Sequence, residues 1–328
     1  MYNKRQELIL NFITDNQKTT RENIEQFLAK MGFATSKMTI TRDLKLLQEN
    51  NDIAKSGSGK ATVYTPALKT ILLNDVNVET YFNKEQDERL PNSIVFNFAV
   101  FSALKNLLTD KEKAELEQLN NIYIAKRNKL SPTLLQKEFE RLTVELAWKS
   151  SKIEGNTYTL LDTERLLNEN ISAKGKTKEE TNMVLNHKKA LDFVLQDPEY
   201  YKNLTIAKIE ELHRILVNEL DVSTGIRTGR VGIVGTNYKP LDNQYQIKEA
   251  LKNLIDVLNR TSNPLEKALI AVLMIAYIQP FEDGNKRTSR ILSNAILLAG
   301  GYCPLSYRSV DEIEYKKAII LFYEQNSV

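Results

Sequence analysis

The sequence predicts a mainly α-helical chain in two parts. A small domain of three helices and a hairpin spans residues 1–66, a linker spans 67–93, and a larger all-helical domain with one further hairpin spans 94–328. Two observations carry this. Apolar residues recur at helical spacing through most of the chain. Strand-like runs are confined to two places, Ile53-Ala54-Lys55 with Ala61-Thr62-Val63-Tyr64, and Val231-Gly232-Ile233-Val234.

In the first part, residues 4–15 carry a stripe of Leu8, Ile9, Phe12 and Ile13. Thr20 is suited to cap a second helix with Ile24, Phe27, Leu28 and Met31 inside, ended by Gly32. Ser36 caps a third, with Ile40, Leu44 and Leu47 inside. A Gly-rich turn, Ser56-Gly57-Ser58-Gly59-Lys60, then joins two short strands. The linker holds an acidic patch, Glu85-Gln86-Asp87-Glu88. Beyond it the pattern predicts helices over 110–125, 134–153, 160–170, 177–196, 205–219, 245–260, 264–278, 286–299 and 311–325.

Composition narrows the function classes. Of 328 residues, 42% are apolar and 27% charged, as in an ordinary soluble globular chain. The longest apolar run, 268–278, falls short of the roughly 18 residues of a membrane span. The N-terminus lacks the apolar core of a signal peptide, so the cytoplasm is the expected compartment. One cysteine excludes an internal disulfide framework, and two histidines with it are too few for a His/Cys metal cage. Net charge is +3, all of it from residues 1–66, which hold ten Lys/Arg against seven Asp/Glu.

Three helices followed by a hairpin is the winged helix-turn-helix order. The stretch Ser36-Lys37-Met38-Thr39-Ile40-Thr41-Arg42-Asp43-Leu44 resembles the recognition helix of DeoR-type bacterial regulators. Thr39, Thr41, Arg42 and Lys45 fall on polar faces of that helix, and Lys55 and Lys60 on the wing, where they can meet bases and phosphates. DNA is the partner this implies, and a homodimer reading paired half-sites fits it. A module used for protein contacts has the same pattern.

A second constellation lies near the C-terminus. Pro280 ends a helix near Ile278. Phe281-Glu282-Asp283-Gly284-Asn285 then turns into a new helix whose first turns carry Lys286, Arg287 and Arg290. Three cations at a helix N-terminus oppose the helix dipole, so an anion is the natural occupant. Asp283 among them suits a Mg²⁺ ion that bridges phosphates.

Residues 279–290 resemble the Fic family motif, His-Pro-Phe-x-[Asp/Glu]-Gly-Asn-[Gly/Lys]-Arg-x-x-Arg, at every fixed position except the first, where Gln279 stands for His. Glu211-Leu212-His213-Arg214 and Gly225-Ile226-Arg227-Thr228-Gly229-Arg230 resemble segments upstream of it. The resemblance covers roughly residues 90–328 and implies a protein adenylyltransferase that moves AMP from ATP to a Ser, Thr or Tyr hydroxyl of a target protein. It implies that Asp283 holds Mg²⁺ and that Phe281, Gly284, Asn285, Lys286, Arg287 and Arg290 bind the nucleotide. It also makes Val234, Gly235, Thr236, Asn237 and Tyr238 part of a hairpin flap that pairs with the target.

Two features bear on activity. Gln279 occupies the place of the family's catalytic base, and a neutral amide has no useful proton affinity near pH 7. His187 and His213 are expected to be structural, His187 near the surface and His213 packed on an apolar helix face. In Ser150-Ser151-Lys152-Ile153-Glu154-Gly155, the pattern resembles the family's inhibitory motif. Ser150 and Glu154 share a helix face, Gly155 ends the helix, and the resemblance pairs Glu154 with Arg290. The expectation is an autoinhibited adenylyltransferase-like protein weakened by Gln279. The alternative is a DNA-binding regulator whose Fic-like part senses nucleotide without chemistry.

Overall fold

The computed structural model describes residues 2–328, and for Lys60 the backbone alone. The chain divides into two compact units, Met1–Asn77 with Gln325–Val328, and Val78–Glu324.

In the first unit, α1 spans Lys4–Asn16, α2 Arg21–Lys30 and α3 Lys37–Glu49. Each starts on a side-chain cap. Asn3 and Gln6 form a capping box, Thr20 accepts from the Asn23 amide, and Ser36 from the Thr39 amide. Strands β1 (Ile53–Ser56) and β2 (Val63–Pro66) pair antiparallel, Ile53 opposite Pro66, around a short 3₁₀ turn at Gly59–Ala61. The core joins Ile9, Ile13, Ile24, Leu28, Ile40, Leu44, Leu47, Ile53 and Tyr64. Met31, expected inside, is 51% exposed, because α2 stops at Lys30 and Gly32 (φ +79°) turns the chain away. Asp43 is buried and takes bonds from Arg5 Nε at 2.6 Å and Gln6 Nε2 at 2.9 Å, which tie α3 to α1. A short α4, Leu68–Leu72, accepts the amide of Val328 at the Leu72 carbonyl, 2.9 Å.

The second unit is helical throughout. Short helices α5 (Val78–Phe82) and α6 (Val100–Ala103) precede α7 (Asp110–Arg127), α8 (Pro132–Ile153), α9 (Leu160–Glu169) and α10 (Lys178–Gln196). Then come α11 (Ile206–Leu216), α12 (Gln244–Arg260), α13 (Pro264–Ile278), α14 (Asn285–Ala299) and α15 (Glu312–Gln325). Thr109 with Glu112, and Thr177 with Glu180, form capping boxes, and Ser131 precedes Pro132 at the first helical position of α8. Helix α13 is apolar on nearly all sides, which marks a buried helix. It packs along α14, whose residues are buried almost continuously from Asn285 to Leu297. Helices α8, α10 and α11 pack on α14, so the loop 279–284 between α13 and α14 is held from several sides.

One expected element takes another form. Residues 231–238 make no strand ladder; they run as a loop with a turn at Val234-Gly235, and the described contact of sheet type is a single parallel bridge between Val95 and Lys239. Side-chain anchors take the place of the ladder. Tyr238 is 2% exposed and its hydroxyl donates to the Tyr277 carbonyl at 2.7 Å, and the Thr236 hydroxyl donates to Glu324 at 2.6 Å. No helix among the described residues is long and apolar enough to cross a membrane.

Candidate functional site

The site is built on the turn from α13 to α14. Gln279 caps α13 in the left-handed region (φ 51°), its amide donating to the Ile275 carbonyl at 3.1 Å. Gly284 opens α14 at φ +80°. A Cβ there would come within 3.0 Å of Val217 Cγ1 and 3.4 Å of His213 Cδ2, so both conformation and space require glycine.

Asn285 fixes the loop, and the donors can be assigned from backbone groups alone. The Phe281 amide can only donate, so at 2.9 Å it bonds Asn285 Oδ1. Asn285 Nδ2 then donates to the Phe281 carbonyl and to Gln279 Oε1, both at 2.9 Å. Gln279 Nε2 in turn donates to the Ala276 carbonyl at 2.6 Å. Gln279 is 7% exposed, and both ends of its side-chain amide are engaged, Oε1 by Asn285 and Nε2 by the Ala276 carbonyl.

Two residues with no assigned role in the sequence brace this turn. Arg227, 2% exposed, donates through Nε to the Gln279 carbonyl at 2.6 Å and through Nη2 to the Leu241 carbonyl at 2.6 Å. His213 stacks on Phe281, centroids 3.7 Å apart, and donates from Nε2 to the Asp283 carbonyl at 2.9 Å. Burial lowers its pKa to about 4, so it is neutral and packed, as expected.

The cations of this turn are drawn inward. Arg287 is 2% exposed and Arg290 fully buried. Arg287 Nη2 bonds Asp283 Oδ2 at 2.6 Å, and Nη1 of each arginine is buried without a hydrogen-bond partner. An unpartnered buried guanidinium N–H is costly. Asp283 itself is 66% exposed at the cleft.

Arg290 is also held by α8. Its Nε donates to Ser150 Oγ at 2.8 Å, and its Nη2 to the Ser150 carbonyl at 3.0 Å and Glu154 Oε1 at 2.7 Å. Glu154 caps α8, and Gly155 at φ +97° turns the chain away. Burial works to raise the Glu154 pKa, but Arg290 and Lys286 outweigh it and hold the carboxyl below its ordinary value. Arg290 is raised in the same way by Glu154 against its own burial.

His187 is not near the surface. It is 1% exposed, because Val184, His187, Leu191 and Val194 form the inner face of α10. The Met183 carbonyl accepts from Nδ1 at 2.8 Å, which leaves Nε2 to accept from the Ser150 hydroxyl at 2.7 Å. The Ser150 oxygen is thereby turned toward Arg290. Burial lowers the His187 pKa to about 3.

A cleft of about 320 Å³ opens at this turn, lined by Glu154, residues 231–234, Gln279, Asp283 to Arg287, and by Tyr315, Ile319 and Tyr323 of α15; Arg290, Ser150 and His187 are not among its lining residues. A larger cleft, about 640 Å³, is lined by Leu135, Phe139 and Leu167 among others and holds no residue of the 279–290 turn. Among the expected flap residues, Val234 is 97% exposed, whereas Thr236 and Tyr238 turn inward, so those two side chains anchor the loop and do not face a partner.

On the first unit, Thr41, Arg42, Lys45 and Lys55 are exposed. Thr39 is half-buried and its hydroxyl lies 3.0 Å from Ser36 Oγ in the α3 cap, which ties it down. The side chain of Lys60 lies outside the described residues.

The family match falls within the second unit. Residues 203–297 match the model of the Fic/DOC family. A stretch of 172 residues, 50% of this chain, is 36% identical to protein adenylyltransferase fic-1 of Caenorhabditis elegans and covers 33% of that protein. Another of 161 residues, 48% of this chain, is 32% identical to protein adenylyltransferase Fic of Drosophila melanogaster, again covering 33%. The chain thus spans about a third of the length of these relatives. Two solved structures share the fold. Fic-1 of C. elegans superposes with a TM-score of 0.53 at 24% identity over 68% of this chain and 70% of that one. A Fic domain containing signaling protein of Bacteroides thetaiotaomicron gives 0.54 at 24% identity over 62% and 80%. The turn from Gln279 to Arg290 lies inside the matched segment, so residues 203–297 belong to a Fic/DOC domain.

Proposed function

We propose that the second unit binds Mg²⁺-ATP at the turn from Phe281 to Arg290, and that it is an autoinhibited adenylyltransferase in which AMP transfer is weak. The observation that carries this is Arg290, fully buried, bonded to Glu154 at 2.7 Å, with its Nη1 nitrogen without a hydrogen-bond partner. A phosphate oxygen suits both unpartnered nitrogens, Arg287 Nη1 and Arg290 Nη1. Lys286 adds charge at the same helix end.

Mg²⁺ is commonly held by one or two carboxylates together with phosphates and water, and the exposed Asp283 fits that donor set. The ion would supply charge neutralisation between phosphates. Lys286, Arg287 and Arg290 would orient the polyphosphate. Glu154 competes for Arg290 and so withholds one phosphate ligand, which is the autoinhibitory reading. The residue at the place of the base is Gln279, whose Oε1 is occupied by Asn285. A hydroxyl of a protein substrate finds no proton acceptor there, a loss of about 10²–10⁴ in rate for a general base.

Calorimetry with Mg²⁺-ATP on the wild-type chain and on Arg287→Ala tests the binding site. Binding is expected to weaken at least about tenfold, the loss of one charge-assisted contact. Equal binding by the two proteins overturns the assignment.

A second reading is favoured by the exposed face of α3. Thr41, Arg42 and Lys45 stand out from a helix that Asp43, Ile40 and Leu44 hold to the core. In this reading the first unit binds DNA as a winged-helix regulator, and the Fic domain reports nucleotide without chemistry.

A further inference from the structure

Glu324 sits in the last turn of α15, where a carboxylate meets the negative end of the helix dipole, and it is only 2% exposed. A buried carboxylate in such a place needs donors. It accepts from the Thr236 hydroxyl at 2.6 Å and from Tyr81 OH at 2.8 Å, and forms an ion pair with Arg89 Nη2 at 3.3 Å. Arg89 is buried as well. Its Nη2 also donates to the Gly235 carbonyl, and its guanidinium lies 5.0 Å over the Phe82 ring.

The same two segments meet again one step along. Gln86 Nε2 donates to Asn237 Oδ1 at 2.9 Å, and Asn237 Nδ2 returns a bond to the Gln86 carbonyl at 3.1 Å. The Lys239 amide donates to the Ile94 carbonyl at 2.7 Å. The loop 231–237 has no ladder to hold its shape, yet its first four residues line the cleft. Its place is therefore set by groups that lie outside it, from residues 81–94 and from α15. Helix α15 also supplies Tyr315, Ile319 and Tyr323 to the cleft wall, so one buried carboxylate fixes the loop relative to that wall.

We propose that Arg89 and Glu324 are positioning residues that set how the loop 231–237 is presented over the nucleotide cleft. Neither touches the cleft. They act through Gly235 and Thr236. The consequence for transfer rests on the reading of this loop as the docking surface for a protein substrate.

Hydrogen exchange on the full-length chain tests the proposal. Thr236→Val removes the bond to Glu324, together with the hydroxyl that accepts the Tyr238 amide at 3.1 Å, and leaves the Arg89–Glu324 pair in place. Arg89→Met removes the cation and leaves Glu324 with two hydroxyl donors. In both, amides of 233–237 are expected to exchange at least about tenfold faster, while those of α13 and α14 stay within about twofold, since a local opening is read separately from global unfolding. Thr236→Ser keeps the hydroxyl and should restore protection, which a loss of packing alone would not. Unchanged exchange over 233–237 in Thr236→Val and Arg89→Met overturns the proposal, as does equal deprotection of α13 and α14. Thr236→Val is then placed in a Glu154→Gly/Gln279→His background and AMP transfer is measured. Faster loop exchange with undiminished transfer would leave the positioning role standing and remove the docking reading of the loop.

Discussion

Arg290 Nη2 donates to Glu154 Oε1 at 2.7 Å across a separation of 136 residues, and the same guanidinium is bonded to Ser150 through both the hydroxyl and the carbonyl. The ion pair therefore forms on a cation already fixed in place. Glu154 is the partly exposed member, so it is the one that a phosphate can displace.

Removing the carboxylate should separate stability from ligand affinity. Glu154→Gly leaves Arg290 buried with one partner fewer. We expect a loss of about 1–3 kcal/mol in the apo protein, the range for a buried polar group that loses one hydrogen-bond partner while its bonds to Ser150 remain. Mg²⁺-ATP should bind more tightly than to wild type, by about tenfold, and should raise Tm more. Thermal denaturation with and without nucleotide reads both. A wild-type ligand shift equal to that of Glu154→Gly would remove Glu154 from competition with phosphate.

AMP transfer should require two changes together. Wild type is expected to modify itself and lysate proteins weakly or not at all with labelled ATP. Glu154→Gly alone frees Arg290 but leaves an amide at the base position. Gln279→His alone restores a base but leaves Arg290 engaged. The double variant should exceed the sum of the singles by about 10² or more, as for residues that act as a unit. Efficient transfer by Glu154→Gly alone would mean that Gln279 is not the lesion.

The two histidines of the chain give a pH signature. Both are neutral in the folded state, with pKa values lowered by burial to about 3 for His187 and about 4 for His213, below the ordinary 6.5. Between pH 6.5 and about 4 the unfolded chain binds protons that the folded chain does not. Stability therefore rises with pH through that window and falls as acid is added. Near pH 5 the slope from two such groups is about 2.7 kcal/mol per pH unit. Urea denaturation at stepped pH should show it, and His187→Gln should cut the slope by about half. An unchanged slope would mean that His187 is protonated in the fold.

For the first unit, Arg42→Ala with Lys45→Ala should weaken binding of duplex DNA and flatten its dependence on the logarithm of salt concentration. Each phosphate contact removed should lower that slope by about 0.9. Filter binding of the full chain over a salt series measures it. No retained duplex at low salt in the wild type would set aside DNA as the partner of α3.

What the sequence determined by itself was what lies within one helical turn or one loop. The caps at Thr20 and Ser36 each satisfy an amide three residues on, so they can be read from the letters. The turn from Gln279 to Arg290 is legible for the same reason, since its helix end, glycine and cations are consecutive. The face shared by Ser150 and Glu154 follows from their spacing. Only the tertiary structure decided what those groups meet. His187 followed by two lysines reads as a surface residue, yet it lies on the inner face of α10. Its spacing with Val184, Leu191 and Val194 was the available sign. No window of sequence ties His187 to Ser150, Arg89 to Gly235, or Glu324 to Thr236, at separations of 37, 146 and 88 residues. The loop at 231–238 shows the difference in one place. Its β-branched residues fit a strand, but buried bonds to Glu324 and Tyr277 hold it as a loop. Local propensity is worth tenths of a kcal/mol per residue, whereas a buried polar group without its partner costs about 1–3 kcal/mol, so the distant partners prevailed.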